Sequence, residues 1–466
     1  MLAFWAEWLR FRRNPANVAI LLAYCATLAL CAAWSAHSAQ HQHLANDEVV
    51  ATSAALIQQA KEGGASLDAA TDPKRAAMHA FSLGRSLAGP AQLLPGPGLA
   101  LSLSPHQIMN TRVAVSVESR HADGRRSDSL SNPMLAKYRA LDLAAVVALL
   151  MPLVAIGLCA GSVQEDRERG TWRVLCAQAA RPWQPWHAAL ALRAAVLWLP
   201  AALTCSVAII SSAGEGTQAV SGVIWWALCL AVYAGFWIAL CGVLAQLPVS
   251  SAAAMLTSLT LWLLLTFAVP AALQAVASTR YPMPSRLASI VDLRQAQQEA
   301  EVRMPELLTT WYADHPHSAP LFIGQHTWPI TFLPRFEYQD QLTRQSIRRF
   351  DERRLIQSQF MEGWAWVSPP MALLQVADHL AGISAAHYTS FLDSVDRYEQ
   401  TWREFFVPRI MSYRGLSADD YAHIPRFNRA VLTSVEAVTL LFGKLLFPTF
   451  VIMVLLFILR RRIARL

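Results

Sequence analysis

The segment SVQEDRERGTWRVLCAQAARPWQPWHA, residues 162–188, is a dense polar stretch between two long apolar runs. It holds four Arg, three acidic residues and three Trp, whereas the run before it, 140–161, and the run after it, 189–211, contain one charged residue each. A helix of about 20 mostly apolar residues crosses the hydrocarbon of a bilayer while satisfying its own backbone hydrogen bonds. The two runs therefore predict membrane-spanning helices, which residues 162–188 join at one membrane surface.

The rest of the chain has the composition of a membrane protein. Of its 466 residues, 54% are hydrophobic and 15% are charged, whereas soluble domains carry about a quarter charged residues. Six apolar segments are long enough to span a bilayer, namely TM1 (17–36), TM2 (140–161), TM3 (189–211), TM4 (223–245), TM5 (252–276) and TM6 (438–459). We therefore predict an α-helical polytopic membrane protein with six transmembrane helices. A cleaved signal peptide is the alternative for TM1, but its apolar run is longer than the core of a typical signal peptide.

Arginine clusters predict which ends of the spans face the cytoplasm. Lys and Arg in short flanking segments stay on the cytoplasmic side of a membrane. The clusters lie in the N-terminal segment 1–16, in 162–188 and in the C-terminal tail 460–466, and six spans place all three on one side. The sequence pI near 9.2 is then explained by this topology and by contact with anionic membrane lipid, and it does not indicate nucleic-acid binding.

The same orientation places two large inserts outside the cytoplasm, residues 37–139 (insert 1) and residues 277–437 (insert 2). In insert 1, residues 46–63 have a helical pattern, 89–105 are rich in Pro and Gly, and 111–120 alternate apolar and polar residues as a half-buried strand does. Insert 2 has long polar stretches with apolar residues at helical spacing. We therefore predict a mixed α/β insert 1 and a mostly α insert 2. All seven Cys lie outside the inserts, which excludes a disulfide there.

Residues 162–188 themselves have the pattern of an amphipathic helix. A helix over about 163–180 places an apolar stripe on one face, formed by Trp172, Leu175, Cys176 and Ala179. At its start, Arg169 can pair with Glu165 four residues earlier and with Asp166 three residues earlier. The pattern predicts a helix at the cytoplasmic surface, and a solvated loop with interfacial Trp anchors is the alternative.

The N-terminal segment MLAFWAEWLRFRRNP has a similar character. As a helix it presents an apolar face made of Leu2, Trp5, Trp8 and Leu9. Glu7 and the Arg cluster lie on the opposite face. This arrangement predicts an interfacial helix over residues 1–16, and a membrane anchor without further function is the alternative.

The run DRERGTW at 166–172 resembles the E-R-E-x-G-T-L element that follows the second span of ABC-2 type permeases, the six-span subunits of ABC transporters. It departs from that element at Asp166 and Trp172, and AQA at 177–179 replaces a frequent Ser-Gln-Pro. Insert 2 resembles the corresponding insert of the branch with large extracytoplasmic domains, akin to the permease of the nitrous-oxide reductase maturation transporter. That likeness rests on YPMPSR (281–286), ADHP (313–316), VSPPMALL (367–374), LAG (380–382), His387 and Phe391.

The resemblance implies the permease subunit of an ATP-driven exporter, a multi-pass protein of the bacterial inner membrane. A separate ABC ATPase would bind ATP and Mg²⁺, so no cofactor is expected in this chain, and a second permease subunit, identical or paralogous, would share the substrate path. The residues implied to couple to the ATPase are Asp166, Arg167, Glu168, Arg169, Gly170, Thr171 and Trp172, with Glu7 and Arg10 of the N-terminal helix. The alternative is a mechanotransmission subunit that drives a periplasmic partner without translocating a solute.

Motifs for catalysis are missing from the sequence. It contains no G-x-x-x-x-G-K-[ST], no G-x-S-x-G and no H-E-x-x-H, so we predict no enzyme activity and no catalytic residues in this chain. Two histidine groups are the weaker alternatives, namely His37, His41 and His43 as metal ligands, and Asp314, His315 and His317 for metal or acid-base chemistry. We predict a metal site at neither.

Three ionisable residues of the spans, Asp142, Arg193 and Lys444, lie near span ends. From there their side chains can reach the headgroup region. Ionisable groups near the middle of a membrane would suggest a proton pathway. Their placement therefore argues against a proton-driven carrier.

Overall fold

The computed structural model describes residues 2–64, 72–118, 142–172, 174, 183–212, 217–318, 328–417, 419–428 and 435–463. Six helices in these ranges are long and apolar enough to cross a membrane, and each overlaps one predicted span. They are Pro15–Glu62, Leu143–Glu168, Gln184–Ser212, Ala219–Leu244, Ser251–Arg280 and Glu436–Leu459. The chain is an α-helical, multi-pass membrane protein, as predicted.

The helices are numbered along the chain. The first are α1 (Leu2–Arg13), α2 (Pro15–Gly64), α3 (Pro73–Ser86), α4 (Ser104–Ile108), α5 (Leu143–Cys159), α6 (Ser162–Glu168), α7 (Trp183–Ser212) and α8 (Thr217–Leu244). The others are α9 (Ser251–Leu263), α10 (Val269–Arg280), α11 (Arg286–Val302), α12 (Met304–Asp314), α13 (Trp328–Gly363), α14 (Pro369–Leu380), α15 (Ala385–Met411) and α16 (Val435–Ile463). Short 3-10 segments lie at Leu99–Leu101, Pro316–Ser318, Ala365–Val367 and Asp420–His423, and a π segment at Leu264–Ala268 joins α9 to α10.

Helix α8 lies at the centre of the membrane bundle, against α5, α7 and α16. Its large aromatic side chains Trp226, Tyr233 and Trp237 are fully buried. The Tyr233 hydroxyl donates a hydrogen bond to the carbonyl of Ala148 in α5 at 2.7 Å. Because lipid is as apolar as a protein core, packing and such hydrogen bonds, rather than exclusion from water, hold membrane helices together.

The fifth span is interrupted by the π segment. Pro270 follows it and has no N–H to donate to the carbonyl of Thr266 four residues earlier, so the regular helical ladder cannot continue there. The carbonyl of Leu265 accepts a hydrogen bond at 2.7 Å from Ser368 Oγ, the residue that precedes α14. The irregular turn thus provides the attachment point for part of insert 2.

Helix α2 runs without a break through TM1 and far into insert 1. Its 50 residues correspond to about 75 Å at 1.5 Å per residue, against about 30 Å of bilayer hydrocarbon. The predicted span 17–36 and the helical stretch 46–63 are therefore one helix. A single stiff element connects the membrane bundle to insert 1.

The alternating segment of insert 1 contains only a short strand. Ala91–Gln92 (β1) pairs antiparallel with Arg112–Val113 (β2), and residues 72–118 contain no other strand. The alternation is nevertheless real, because Val113, Val115 and Val117 are all buried. Beyond the two-residue ladder their backbone packs against helices instead of a sheet, and the amide of Val117 donates to Gly84 O of α3 at 3.1 Å.

The two inserts share one hydrophobic core. Trp402 of α15 is fully buried, and its indole N–H donates to Gly84 O of α3 at 2.8 Å. Its ring lies 4.6 Å from that of Phe406, and Phe81 of α3 belongs to the same cluster. Inserts 1 and 2 therefore form a single body, which we call the outer body.

Three glycines allow the inserts to touch backbone to backbone. The amides of Gly96 and Gly98 donate to Ala381 O and Leu380 O at 2.8 and 2.9 Å. A Cβ at Gly96 would lie 2.4 Å from Leu380 O, and Gly382 has a φ of +73°. This contact fixes insert 1 to the end of α14, whose apolar side chains belong to the core of the membrane bundle.

Candidate functional site at the basic end

One end of the bundle carries the Arg-rich segments α1 and α6 and the turn 245–250, and we call it the basic end. Helix α6 begins after Gly161 and ends before Gly170, and both glycines have a φ of +78°. The backbone is helical again at Thr171, Trp172 and Val174. The prediction of one uninterrupted helix over 163–180 is wrong, because the left-handed backbone at Gly170 ends α6. The predicted stripe residues Leu175, Cys176 and Ala179 lie outside the described residues.

Asp166 connects α6 to the N-terminal helix α1. Its two carboxylate oxygens accept hydrogen bonds at 2.7 and 2.8 Å from the Arg10 guanidinium. Glu7 lies 4.0 Å from Arg10, and burial raises the pKa of the Glu7 carboxyl. The predicted Asp166–Arg169 pair is not formed, since Asp166 turns to Arg10, 156 residues away in sequence.

Arg167 connects α6 to the turn between α8 and α9. Its guanidinium donates to the carbonyls of Ala245 at 3.0 Å and Leu247 at 3.2 Å. The neighbouring Gln164, which is buried, donates to Leu244 O at 3.1 Å. These contacts satisfy carbonyls at the end of α8 and in the turn after it, where the helical hydrogen-bond ladder stops.

Glu168 connects α6 to the beginning of α9. Its carboxylate accepts from both the amide and the hydroxyl of Ser251, each at 2.9 Å. A negative charge at a helix N-terminus is stabilised by the free backbone amides and the helix dipole. Glu168 therefore acts within the chain, as a cap for the fifth span.

The remaining motif residues complete the turn or face outward. Thr171 Oγ1 donates to Asp166 O at 3.0 Å, and Trp172 is buried. The predicted i, i+4 pair of Glu165 and Arg169 is confirmed at 2.6 Å, with side chains 51% and 70% exposed. Val174 is also exposed. The outward side is therefore formed by Glu165 and, just beyond the end of α6, by Arg169, Gly170 and Val174; for brevity we call these four residues the outward face of α6.

Arg193 also belongs to this site, although the sequence indicated only that it lies near a span end. It donates to Ser162 Oγ at 3.3 Å and lines a small cleft with Glu7, Arg10 and Trp172. The sequence did contain a signal for this role, because Arg193 lies one turn inside TM3, close to the membrane surface at which the acidic residues of 162–188 are predicted.

Asp142 and Lys444 are bound at the opposite end of the bundle, which we call the insert end. Asp142 Oδ1 accepts from the amides of Leu103 and Ser104 at 2.7 and 2.8 Å, and Lys444 Nζ donates to Glu362 O at 2.7 Å. The prediction that these side chains extend to the headgroups is therefore wrong. Their partners are backbone groups of the inserts.

The histidine groups make local contacts. The rings of His37 and His41 lie 4.5 Å apart on α2. His315 stacks on Trp311 at 4.3 Å, where α12 ends before Pro316. Across the described residues, no group of three or more His, Cys, Asp or Glu is arranged to hold a metal ion.

Comparison with known proteins gives one match. A family profile described as a domain of unknown function (DUF3526) matches residues 286–429, which lie within insert 2. No curated protein matches the chain. No solved structure matches it either. The match covers the α11–α15 part of the outer body and leaves the basic end outside it.

Proposed function

We propose that the chain is the permease subunit of an ATP-driven ABC transporter of the bacterial inner membrane, and that it works as an exporter. A separate ABC ATPase docks at the basic end, which is the predicted cytoplasmic side, and binds the ATP and Mg²⁺. A second permease subunit shares the substrate path. In this proposal the chain itself is not an enzyme and holds no cofactor.

One observation carries the proposal, namely that three consecutive side chains fasten α6 to three different parts of the bundle. Asp166 holds α1, Arg167 holds the end of α8, and Glu168 holds the start of α9. A force applied to α6 is therefore transmitted to all three at once. The outward face of α6 remains exposed for the partner that applies it.

The nine residues predicted to couple to the ATPase then have two roles. Arg169 and Gly170 contact the partner. Glu7, Arg10, Asp166, Arg167, Glu168, Thr171 and Trp172 position α6, through the contacts given above. This division of roles favours a coupling segment over a solvated loop, because a loop that transmits no force needs no contacts with three parts of the bundle.

The test compares an outward residue with a positioning residue. The chain is co-expressed with an ABC ATPase encoded beside it and purified through a tag on the permease. We expect Arg169→Glu to lower ATPase recovery by about tenfold, since an interface charge reversal costs on the order of 1.4 kcal/mol or more. We expect Glu168→Ala to retain the ATPase but to lose the stimulation of its turnover.

The matched control is Arg349→Glu, a charge reversal on the exposed surface of α13. It should leave recovery and turnover unchanged. If Arg169→Glu also leaves both at the wild-type level, the outward face is not the docking surface and the proposal fails.

A second candidate function is mechanotransmission to a periplasmic partner without solute movement. The observation that favours it is the continuous α2, which carries motion from the membrane into the outer body as one helix. Breaking the helix beyond the span with Ala54→Pro would separate the two functions. Solute export by the reconstituted complex would survive this change, whereas action on a periplasmic partner would be lost.

A further inference from the structure

A group of ionisable side chains lies where the outer body meets the insert end of the bundle. Asp378 of α14 accepts a hydrogen bond at 2.7 Å from Ser102 Oγ, which is buried. Asp142, just before α5, accepts from the amides of Leu103 and Ser104. The two carboxylates therefore hold residues 102–104 of insert 1 from two sides, one from α14 and one from the second span.

Other charged or titratable groups face this place from the neighbouring helices. His379 Nε2 lies 3.4 Å from Glu362 Oε1 at the end of α13, and the ring of His387 in α15 lies 5.6 Å from that of His379. Lys444 of α16 reaches the backbone of Glu362, while α8 has no charged residue. We call Asp142, Glu362, Asp378, His379 and His387 the insert joint.

We propose that the insert joint is a proton-binding site, at which ionisation of Asp378 loosens the attachment of the outer body to the membrane helices. A neutral Asp378 carboxyl accepts the hydrogen bond from Ser102 Oγ and adds no charge to the site. An ionised Asp378 places a further negative charge beside Asp142 and Glu362 in a poorly hydrated site, where like charges repel strongly. The inference concerns the opposite end of the bundle from the docking surface and does not depend on the proposed function.

The direction of the pH effect follows from the shifted pKa values. Burial raises the pKa of Asp378 to about 6. The Ser102 hydrogen bond and His379 lower this pKa, while the charges of Asp142 and Glu362 raise it further. Burial lowers the pKa of His387 to about 4, so this ring stays neutral near pH 7. The attached form therefore binds the Asp378 proton more tightly than an opened, hydrated form, whose carboxyl has a pKa near 3.9. The attachment is strongest in acid and weakens as the pH rises from about 4 to about 6.

The test measures local opening of residues 96–104 by amide hydrogen exchange in the full chain, in detergent and at constant ionic strength. After correction for the intrinsic exchange rate, we expect opening to increase about tenfold between pH 5 and pH 7 in the wild type. Asp378→Asn should abolish this increase, because its side chain cannot ionise. The control Asp393→Asn removes an exposed carboxylate of α15 and should keep the tenfold change.

A second variant keeps the proposal testable if Asp378→Asn fails to fold. The Ser102 hydrogen bond lowers the pKa of Asp378, so Ser102→Ala should move the midpoint of the pH dependence upward. A midpoint that stays in place would overturn the proposal. The same holds if Asp378→Asn folds and keeps the wild-type pH dependence, because ionisation of Asp378 would then not be its cause.

Discussion

The two ends of the helix bundle are held together by different chemistry. At the basic end, the helices are joined by side chains that reach solvent. Arg10, for example, which pairs with Asp166, is 54% exposed. At the insert end, backbone meets backbone at Gly96 and Gly98. Removing an exposed ion pair costs a fold about 0–1 kcal/mol. Forcing an additional atom into a closely packed contact costs about 1–3 kcal/mol. The insert end should therefore determine stability, and the basic end should be open to change with little loss of fold.

The largest effect is expected from the shared core of the outer body. Trp402→Ala removes a fully buried ring and its hydrogen bond to Gly84 O, and we expect a loss of about 3–5 kcal/mol in the free energy of unfolding. Thermal unfolding of the detergent-solubilised chain measures it. The matched change Trp364→Ala, at a ring that is 44% exposed, should have a much smaller effect. Equal losses for the two variants would show that the inserts do not share a core.

The glycine contact between the inserts comes next. Gly96→Ala places a Cβ 2.4 Å from Leu380 O, and we expect a loss of about 1–3 kcal/mol, because the neighbouring atoms are backbone and cannot rotate away. Gly363→Ala is the control, since a Cβ there meets nothing within 4 Å. Unfolding midpoints that coincide for the two variants would contradict the close approach of insert 1 to α14.

The smallest effect on stability is expected at the basic end. A double-mutant cycle with Arg10→Ala and Asp166→Ala should give a coupling energy of about 0.2–1 kcal/mol, as is usual for exposed ion pairs. The coupling should decrease further at 1 M salt, where the screening length falls to about 3 Å. A coupling above about 2 kcal/mol that is insensitive to salt would mean that the basic end is as rigidly built as the insert end.

The membrane part of the fold could be predicted from the sequence because the signal is local. Twenty apolar residues in a row leave the chain few alternatives to a spanning helix, and the structure has a helix of that kind over each predicted segment. The strand predicted at 111–120 shows the limit of a local pattern. The alternation correctly marks Val113, Val115 and Val117 as buried, but it does not reveal that helices, not further strands, cover them.

The internal contacts of the candidate site could not be predicted, because they depend on residues far apart in sequence. Helical spacing offers Arg169 as a partner for Asp166, yet Asp166 binds Arg10. In the same way, nothing near Glu168 indicates that it caps α9 at Ser251. The Glu165–Arg169 pair, by contrast, joins residues four apart and follows from spacing alone.

The most direct measurement for the proposed coupling is photo-crosslinking in a purified complex of the chain with the ABC ATPase proposed as its partner. A photoreactive phenylalanine analogue replaces Val174 of the outward face of α6, which is 57% exposed, or Leu287 of the outer body, which is 75% exposed. The account predicts that the probe at position 174 forms a crosslink to the ATPase and that the probe at 287 does not. A complex that holds the ATPase but gives no crosslink from position 174 would contradict the claim that this surface docks the ATPase.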